Sequence, residues 1–183
     1  MPLRLLLLRH AKAERGDGLA DRDRPLAPKG RVGARLVGEW LAARATGGEL
    51  HVLCSTSLRT RETLAELAIA GALDRARLDV EEGLYLATAA SLLERLRRLP
   101  EPADGDPGAV LVVAHNPGIH ELAVALAGEG DRDAYERLRA GMPTGALAWL
   151  ECDAAPRALR PGCARLAAFA TPRALADERG LPL

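Results

Sequence analysis

Three apolar runs constrain the fold of this chain more than any other feature: "LRLLLL" (3–8), "HVLCS" (51–55) and "AVLVVAH" (109–115). None alternates apolar with polar residues, as a strand with one wet face would. Short uninterrupted runs are the pattern of strands covered on both faces, whose successive side chains enter two different cores. Amphipathic segments lie between them. Residues 29–45 place Val32, Leu36, Val37, Trp40 and Leu41 on one stripe at helical spacing, with Arg31, Arg35, Glu39 and Arg44 largely elsewhere. Residues 58–70 and 89–99 read the same way, the second through Leu92, Leu93, Leu96 and Leu99. Strand alternating with helix predicts an α/β fold in three layers, a doubly wound, mostly parallel sheet with helices on both faces.

Further along, "NPGIHELAVALAG" (116–128) predicts a helix with Asn116 as N-cap and Pro117 at the first helical position. "DRDAYERLRAG" (131–141) reads as a charged helix, and "GALAWLEC" (145–152) and "CARLAAFA" (163–170) as two more strands. "PEPADGDPG" (100–108) is a loop, too short to link two domains. With 183 residues, 48% of them hydrophobic, the chain can bury one good core. We expect a single domain over residues 1–172 and a loosely held tail over 173–183.

Twenty-five basic and twenty-five acidic residues leave no net charge, hence no overall footprint for nucleic acid or an anionic membrane. Cys54, Cys152 and Cys163 are odd in number and lack C-x-x-C spacing, which argues against a disulfide framework or structural zinc site and points to a reducing compartment. The apolar stretch Leu5–Leu8 is too short for a signal peptide, and no later stretch approaches a membrane span, so the expectation is a soluble, cytoplasmic protein.

In an open parallel sheet, ligands bind beyond the carboxyl ends of the strands. The first run ends at Arg9-His10, the second leads into "STSLRTRET" with Arg59, and the third ends at His115. Two arginines and two histidines thus reach one edge of the sheet. Arg9 and His10 would face opposite ways on a continuing strand, so they share a site only if the strand stops there. The planar donors of two guanidinium groups match phosphoryl or carboxylate oxygens. Their charge also keeps a neighbouring imidazole neutral, and a neutral imidazole nitrogen is a nucleophile. A helix starting after His115 adds backbone N–H groups to such an anion site.

"LLLLRHAKAE", "DRDRPLAPKGR", "CSTSLRTRETL" and "VLVVAHNPGIHEL" resemble, in order, the motifs of the histidine phosphatase superfamily, most of all its short SixA-type branch of phosphohistidine phosphatases. The resemblance spans residues 5 to 122. It implies a phosphoglycerate mutase-like fold, His10 as phosphoryl-accepting nucleophile, Arg9, Arg59 and His115 as the phosphoryl clamp, and Arg24 as a further pocket residue. It implies no metal and no organic cofactor. Ala11 stands where the superfamily typically has Gly, which a negative φ would accommodate. Ser55 and Asn116 are further substrate-binding candidates.

Larger members protonate the leaving group with a carboxylate, and "VEEGLYLAT" (80–88) offers Glu82, with Glu81 as a rival. An alkoxide leaving group needs a general acid, whereas an imidazole, with a pKa of roughly 6.5, leaves already protonated. No long insertion offers a lid, which suits a protein-borne phosphoryl group. The expected activity is removal of a phosphoryl group from protein phosphohistidine through a phosphohistidine intermediate. The alternatives are a broad small-molecule phosphomonoesterase and a non-catalytic phosphoryl-binding module. Arg61, two residues from Arg59, points to another face. His115 and His120 are five apart, unlike a helical zinc pair, so His120 reads as a surface helix residue and His51 as a strand start. Trp40, Trp149 and Tyr85 read as core or rim packing.

Overall fold

The leucine-rich run lies at the centre of the molecule. The computed structural model describes residues 2–44, 49–73, 76–100 and 108–183. In chain order the strands are β1 (Leu3–Arg9), β2 (Leu50–Ser55), β3 (Ala76–Glu81), β4 (Ala109–Ala114), β5 (Ala127–Gly130), β6 (Leu147–Cys152) and β7 (Ala164–Ala170). They form one sheet in the order β3-β2-β4-β1-β6-β7-β5, with β1 in the middle. β1 pairs parallel with β4 and antiparallel with β6, and the β2, β3 and β4 pairings are parallel. Leu3, Leu5 and Leu7 enter one core while Leu6 and Leu8 enter the other. Each fully buried leucine contributes about 1.5–3 kcal/mol, so an uninterrupted apolar run is what a strand between two helical layers requires.

One layer comprises α1 (Pro28–Ala42), α2 (Leu58–Ile69) and α6 (Pro172–Glu178), which share a core containing Leu36, Val37, Leu64, Leu67 and Leu175. The opposite layer comprises α3 (Ala89–Arg97), α4 (Gly118–Leu126) and α5 (Arg132–Ala140), through Leu92, Leu96, Ile119, Leu122 and Leu138. This is the expected three-layer, mostly parallel α/β architecture. Among the described residues no helix is long and apolar enough to cross a membrane.

Several local expectations are corrected. Val32 is exposed, because the buried face of α1 is built from Gly33, Ala34, Val37, Gly38 and Leu41. Small residues there let α1 lie close to α2 and α6: a Cβ on Gly38 would sit 2.7 Å from Ala70 Cβ, and one on Gly33 3.0 Å from Pro172 Cβ. Arg31 and Arg35 reach across to the buried carboxylate of Glu66, and Arg31 also meets Glu62 at 2.6 Å. These pairs satisfy a carboxylate that would otherwise be costly to bury.

Asn116 does not cap α4. Pro117 holds the N-cap position, its peptide bond to Asn116 is cis, and the helix begins at Gly118. The same helix ends at Leu126, and the next residues form the short edge strand β5, which no apolar run announced. The edge strand β3 was equally silent: Leu78 and Val80 face solvent there. The segment from Pro172, expected to be loose, folds as α6 with Leu175 and Ala176 buried. Residues 101–107 of the Pro/Gly/Asp loop and residue 45 of the first predicted helix lie outside the described residues. His120 is partly buried rather than superficial and donates from Nε2 to the carbonyl of Leu138 at 2.7 Å, tying α4 to α5. His51 pairs with Asp79 at 2.7 Å, linking β2 to β3. Trp40 and Trp149 pack edge to face.

The entry to α1 presses on the segment after His10. The Ala27 N–H donates to the carbonyl of Lys12 at 2.9 Å, and a Cβ on Gly30 would stand 2.0 Å from that same oxygen. Gly30→Ala therefore forces backbone to move, and urea denaturation is expected to show a loss of about 1–3 kcal/mol. Gly83→Ala, where the added methyl meets nothing within 4 Å, serves as the neutral comparison.

Candidate active site

β1 stops at Arg9 because the turn before β6 closes over it. The N–H of Gly145 lies within hydrogen-bonding distance of the carbonyls of both Arg9 (3.2 Å) and His10 (3.0 Å). Gly145 has φ +78°, a conformation that favours glycine. The N–H of Ala11 then donates to Thr63 Oγ1 on α2 at 2.9 Å, so the chain leaves the sheet immediately after His10. Among the described non-glycine residues only Leu86 has positive φ, so Ala11 adopts a backbone conformation open to any side chain.

Four of the expected residues converge. His10 Nδ1 lies 2.8 Å from the carbonyl of Ala11. A carbonyl only accepts, so Nδ1 carries the proton and the lone pair is on Nε2. Arg59 Nε donates to that nitrogen at 3.3 Å, and Arg59 Nη2 donates to His115 Nδ1 at 3.3 Å. The two imidazole rings are 5.2 Å apart. His115 Nε2, left as the protonated nitrogen, donates to Ser55 Oγ at 2.8 Å. Ser55 is fully buried at the end of β2 and orients the ring. Arg59 sits in the first turn of α2, whose start is capped by Ser57, and is only 3% exposed, whereas Arg61 faces solvent.

Arg9 donates from Nη1 to the carbonyl of Met142 at 2.8 Å, and Asn116 Nδ2 donates to the same oxygen at 3.0 Å. Arg9 Nε and Asn116 Oδ1 are buried without a hydrogen-bond partner. A buried donor left open beside the two rings is a natural contact for an incoming anion.

Arg24 braces the loop instead of contacting either ring. Its Nε and Nη2 donate to the carbonyl of Glu14 at 2.9 and 2.6 Å, and Nη1 donates to Asp21 Oδ1 at 3.0 Å. Of the two proton-donor candidates, Glu81 is paired with Arg95 of α3 at 2.6 Å. Glu82 lies on the rim, accepting from Thr56 Oγ1 at 2.7 Å and from Arg22. Those two partners hold its carboxyl below the usual range, Thr56 most of all, so it stands ionised at neutral pH.

Asp21 escaped the reading of the sequence, and Tyr85 was read there only as packing. Asp21 accepts from Arg59 Nη2 at 2.9 Å and from the Tyr85 hydroxyl at 2.7 Å, and its backbone carbonyl accepts from Arg59 Nη1. The Tyr85 bond, followed by the arginines, holds this carboxyl well below the usual carboxylate range. Tyr85 stands edge-on to the His115 ring at 5.4 Å, and Arg22 lies over its face at 4.6 Å. Asp21 lies in a charge-rich loop whose residue types do not single out one carboxylate. No periodicity marks it.

Burial and the positive field act together on the rings. His10 is lowered to about 4, chiefly by desolvation and then by Arg59, Arg9 and Arg24, although the Ala11 carbonyl opposes this. His115 is lowered to about 3 by desolvation, by His10 and by Arg59. Both rings are uncharged at pH 7.

The model of the histidine phosphatase superfamily (branch 1) matches residues 5–85. An uncharacterized protein of Mycobacterium tuberculosis is 38% identical over 168 residues, covering 91% of this chain and all of that one. The structure of the Nakamurella multipartitia protein assigned as a phosphohistidine phosphatase SixA superposes with a TM-score of 0.78 at 30% identity, over 94% of this chain and 97% of that one.

The chain belongs to the histidine phosphatase superfamily. A second SixA-assigned protein, from Agrobacterium tumefaciens, gives a TM-score of 0.71 at 28% identity, over 93% of this chain and 99% of that one. In this histidine phosphatase the depressed histidines couple the site to stability. Each ring binds its proton more weakly folded than unfolded, so its contribution to stability is intact above the unfolded value of about 6.5 and declines as pH falls toward 4 and 3. Histidine-ring NMR is expected to show His10 and His115 neutral at pH 6. Resistance to urea is expected to fall as pH drops from about 6.5 to 4, with a shallower slope in His115→Asn. Normal titration of both rings near 6.5 would contradict the assignment.

Proposed function

We propose that this phosphatase removes the phosphoryl group of phosphohistidine on a protein, by way of a phosphorylated His10. His10 Nε2, whose lone pair the Nδ1 bond to Ala11 keeps available, attacks phosphorus in line. The phosphorus–nitrogen bond to the substrate imidazole, whose other nitrogen already carries a proton, breaks as the new bond forms, and that imidazole leaves as a neutral ring. Water then attacks phospho-His10, releasing inorganic phosphate and returning the ring to its starting state. Arg9 and Arg59 balance the phosphoryl oxygens throughout, so catalysis rests mainly on position and charge. An arriving dianion opposes the field of the arginines and raises the pKa of His115, which then donates to the phosphoryl group with Ser55 holding its far nitrogen.

The observation that carries the choice of substrate is the state of the carboxylates at the mouth. Asp21 and Glu82 are each held as anions by hydrogen-bond donors, and Glu81 is paired with Arg95. A sugar or alkyl phosphate needs a protonated acid for its alkoxide; Asp21 and Glu82 are not poised as one, and Glu81 is turned to Arg95. Transfer from one imidazole to another needs none, because leaving group and nucleophile are chemically alike. The SixA-assigned proteins of similar structure point the same way.

His10→Asn is expected to abolish turnover and any radiolabel carried by the enzyme. Arg59→Ala should remain folded and lose on the order of 10²-fold or more in kcat/KM. The deciding comparison is the rate on a phosphohistidine-bearing protein against sugar phosphates. Faster turnover of the sugar phosphates would make this a small-molecule phosphomonoesterase, and binding without transient label on His10 would make it a phosphoryl-binding module.

Asp21 acts in this scheme as a positioning residue that holds the donors of Arg59 needed by the substrate. Asp21→Asn is expected to lower kcat while inorganic phosphate inhibits more tightly, since a competing anion has gone. Parallel loss of kcat and of phosphate affinity would argue for simple misfolding.

A further inference from the structure

Two of the three cysteines, eleven positions apart, meet at the end of the sheet remote from the active site. Cys152 is the last residue of β6 and lies opposite Leu3, where β1 begins, whereas His10 follows the other end of that strand. Its Sγ is 3.4 Å from Cys163 Sγ and 3.1 Å from the Cys163 carbonyl. The Cys163 end is held by a tight turn: its N–H donates to the Arg160 carbonyl at 3.1 Å, and the Gly162 N–H donates to the Ala125 carbonyl at 2.8 Å. The Arg160 N–H points back at Cys163 Sγ at 3.5 Å. Cys152 is buried, but Cys163 is partly exposed and lines an open cavity of about 460 Å³. Glu129, Glu151 and Asp153 face that cavity together with Arg160 and Arg165, so it presents both signs of charge to a visitor.

We propose that Cys152 and Cys163 form a reversible dithiol site that reacts with low-molecular-weight disulfides of zwitterionic peptide thiols. The Cys163 thiolate attacks one sulfur of the disulfide, forming a mixed disulfide and expelling one thiolate. Cys152 then gives up its proton and attacks Cys163 Sγ, expelling the second thiol. Two protein thiols are oxidised and one small disulfide is reduced to two thiols. Neighbouring sulfurs at 3.4 Å need only small side-chain rotations to reach bonding distance. The product closes residues 152–163 into a ring and fastens the exit of β6 to the entry of β7. Cys54 provides an internal control, because it is fully buried in β2 and desolvation pushes its thiol up to about 11.

The test uses the reduced full-length chain and oxidised glutathione. The expected product is about 2 Da lighter, with a tryptic cross-link between the Cys152 and Cys163 peptides and a free Cys54, and dithiothreitol reverses it. The thermal midpoint should rise by on the order of 5 °C, with phosphatase activity unchanged. Cys152→Ser is expected to stop at a stable glutathione adduct on Cys163, and Cys163→Ser to acquire neither adduct nor cross-link. A wild-type chain that keeps all its thiols, halts at the mixed disulfide or reacts at Cys54 would overturn the proposal.

Discussion

A guanidinium group withdrawn from water is the constraint on which the site depends. Arg59 is nearly buried, and a buried charge is tolerated only when its donors are satisfied and its charge is answered. Here four bonds hold its donors in place, to His10 Nε2, to His115 Nδ1, and to the carboxylate and carbonyl of Asp21. Because arginine can only donate, both imidazoles must turn a lone pair toward it. The tautomer of each ring follows, and with it the orientation of Ser55 and the carbonyl of Ala11.

The sheet provides the rigidity that this arrangement needs. β1 delivers Arg9 and His10 from a strand clamped between two hydrophobic cores, its parallel neighbour β4 delivers His115, and β2, next beyond β4, delivers Ser55. The turn at Gly145 ends the pairing of β1 at the right residue, and Thr63 of α2 draws the following chain aside. Helix α2 therefore does two jobs with one turn of backbone, presenting Arg59 and anchoring Ala11. The carbonyl of Met142 adds a third link, shared by Arg9 and Asn116.

The rim has a different character. Asp21, Glu82, Tyr85, Arg22 and Arg24 form an exposed polar web in which each carboxylate is held by hydrogen-bond donors. Salt screens such contacts, and their worth to stability is small. Their value lies in ionisation state: negative groups at the mouth stay negative, so protons for a basic leaving group are not stored there. Chemistry between two imidazoles is well matched to a site built in this way.

The doubly wound architecture and the meeting of Arg9, His10, Arg59 and His115 were legible in the sequence, because apolar runs report strands buried on both faces and strand ends report where ligands bind. Ser55, offered as a substrate contact, was legible as a site residue, but its bond to the His115 ring from the end of β2 was not. Edge strands β3 and β5 were not, since half-exposed or four-residue strands carry no apolar run; on α1 the expected Leu36, Val37 and Leu41 are buried, but the width added by Gly33, Ala34 and Gly38 in place of Val32 was not legible. The packing of α6, the cis bond before Pro117, the bracing role of Arg24 and the entry of Asp21 and Tyr85 into the site were decided in three dimensions. So was the approach of Cys152 to Cys163. The sequence by itself determined which strands are buried and which side chains stand at their ends, because local hydrophobic pattern encodes burial directly. Tertiary structure alone decided which donors meet which acceptors, because those partners lie far apart along the chain and only the closed fold brings them together.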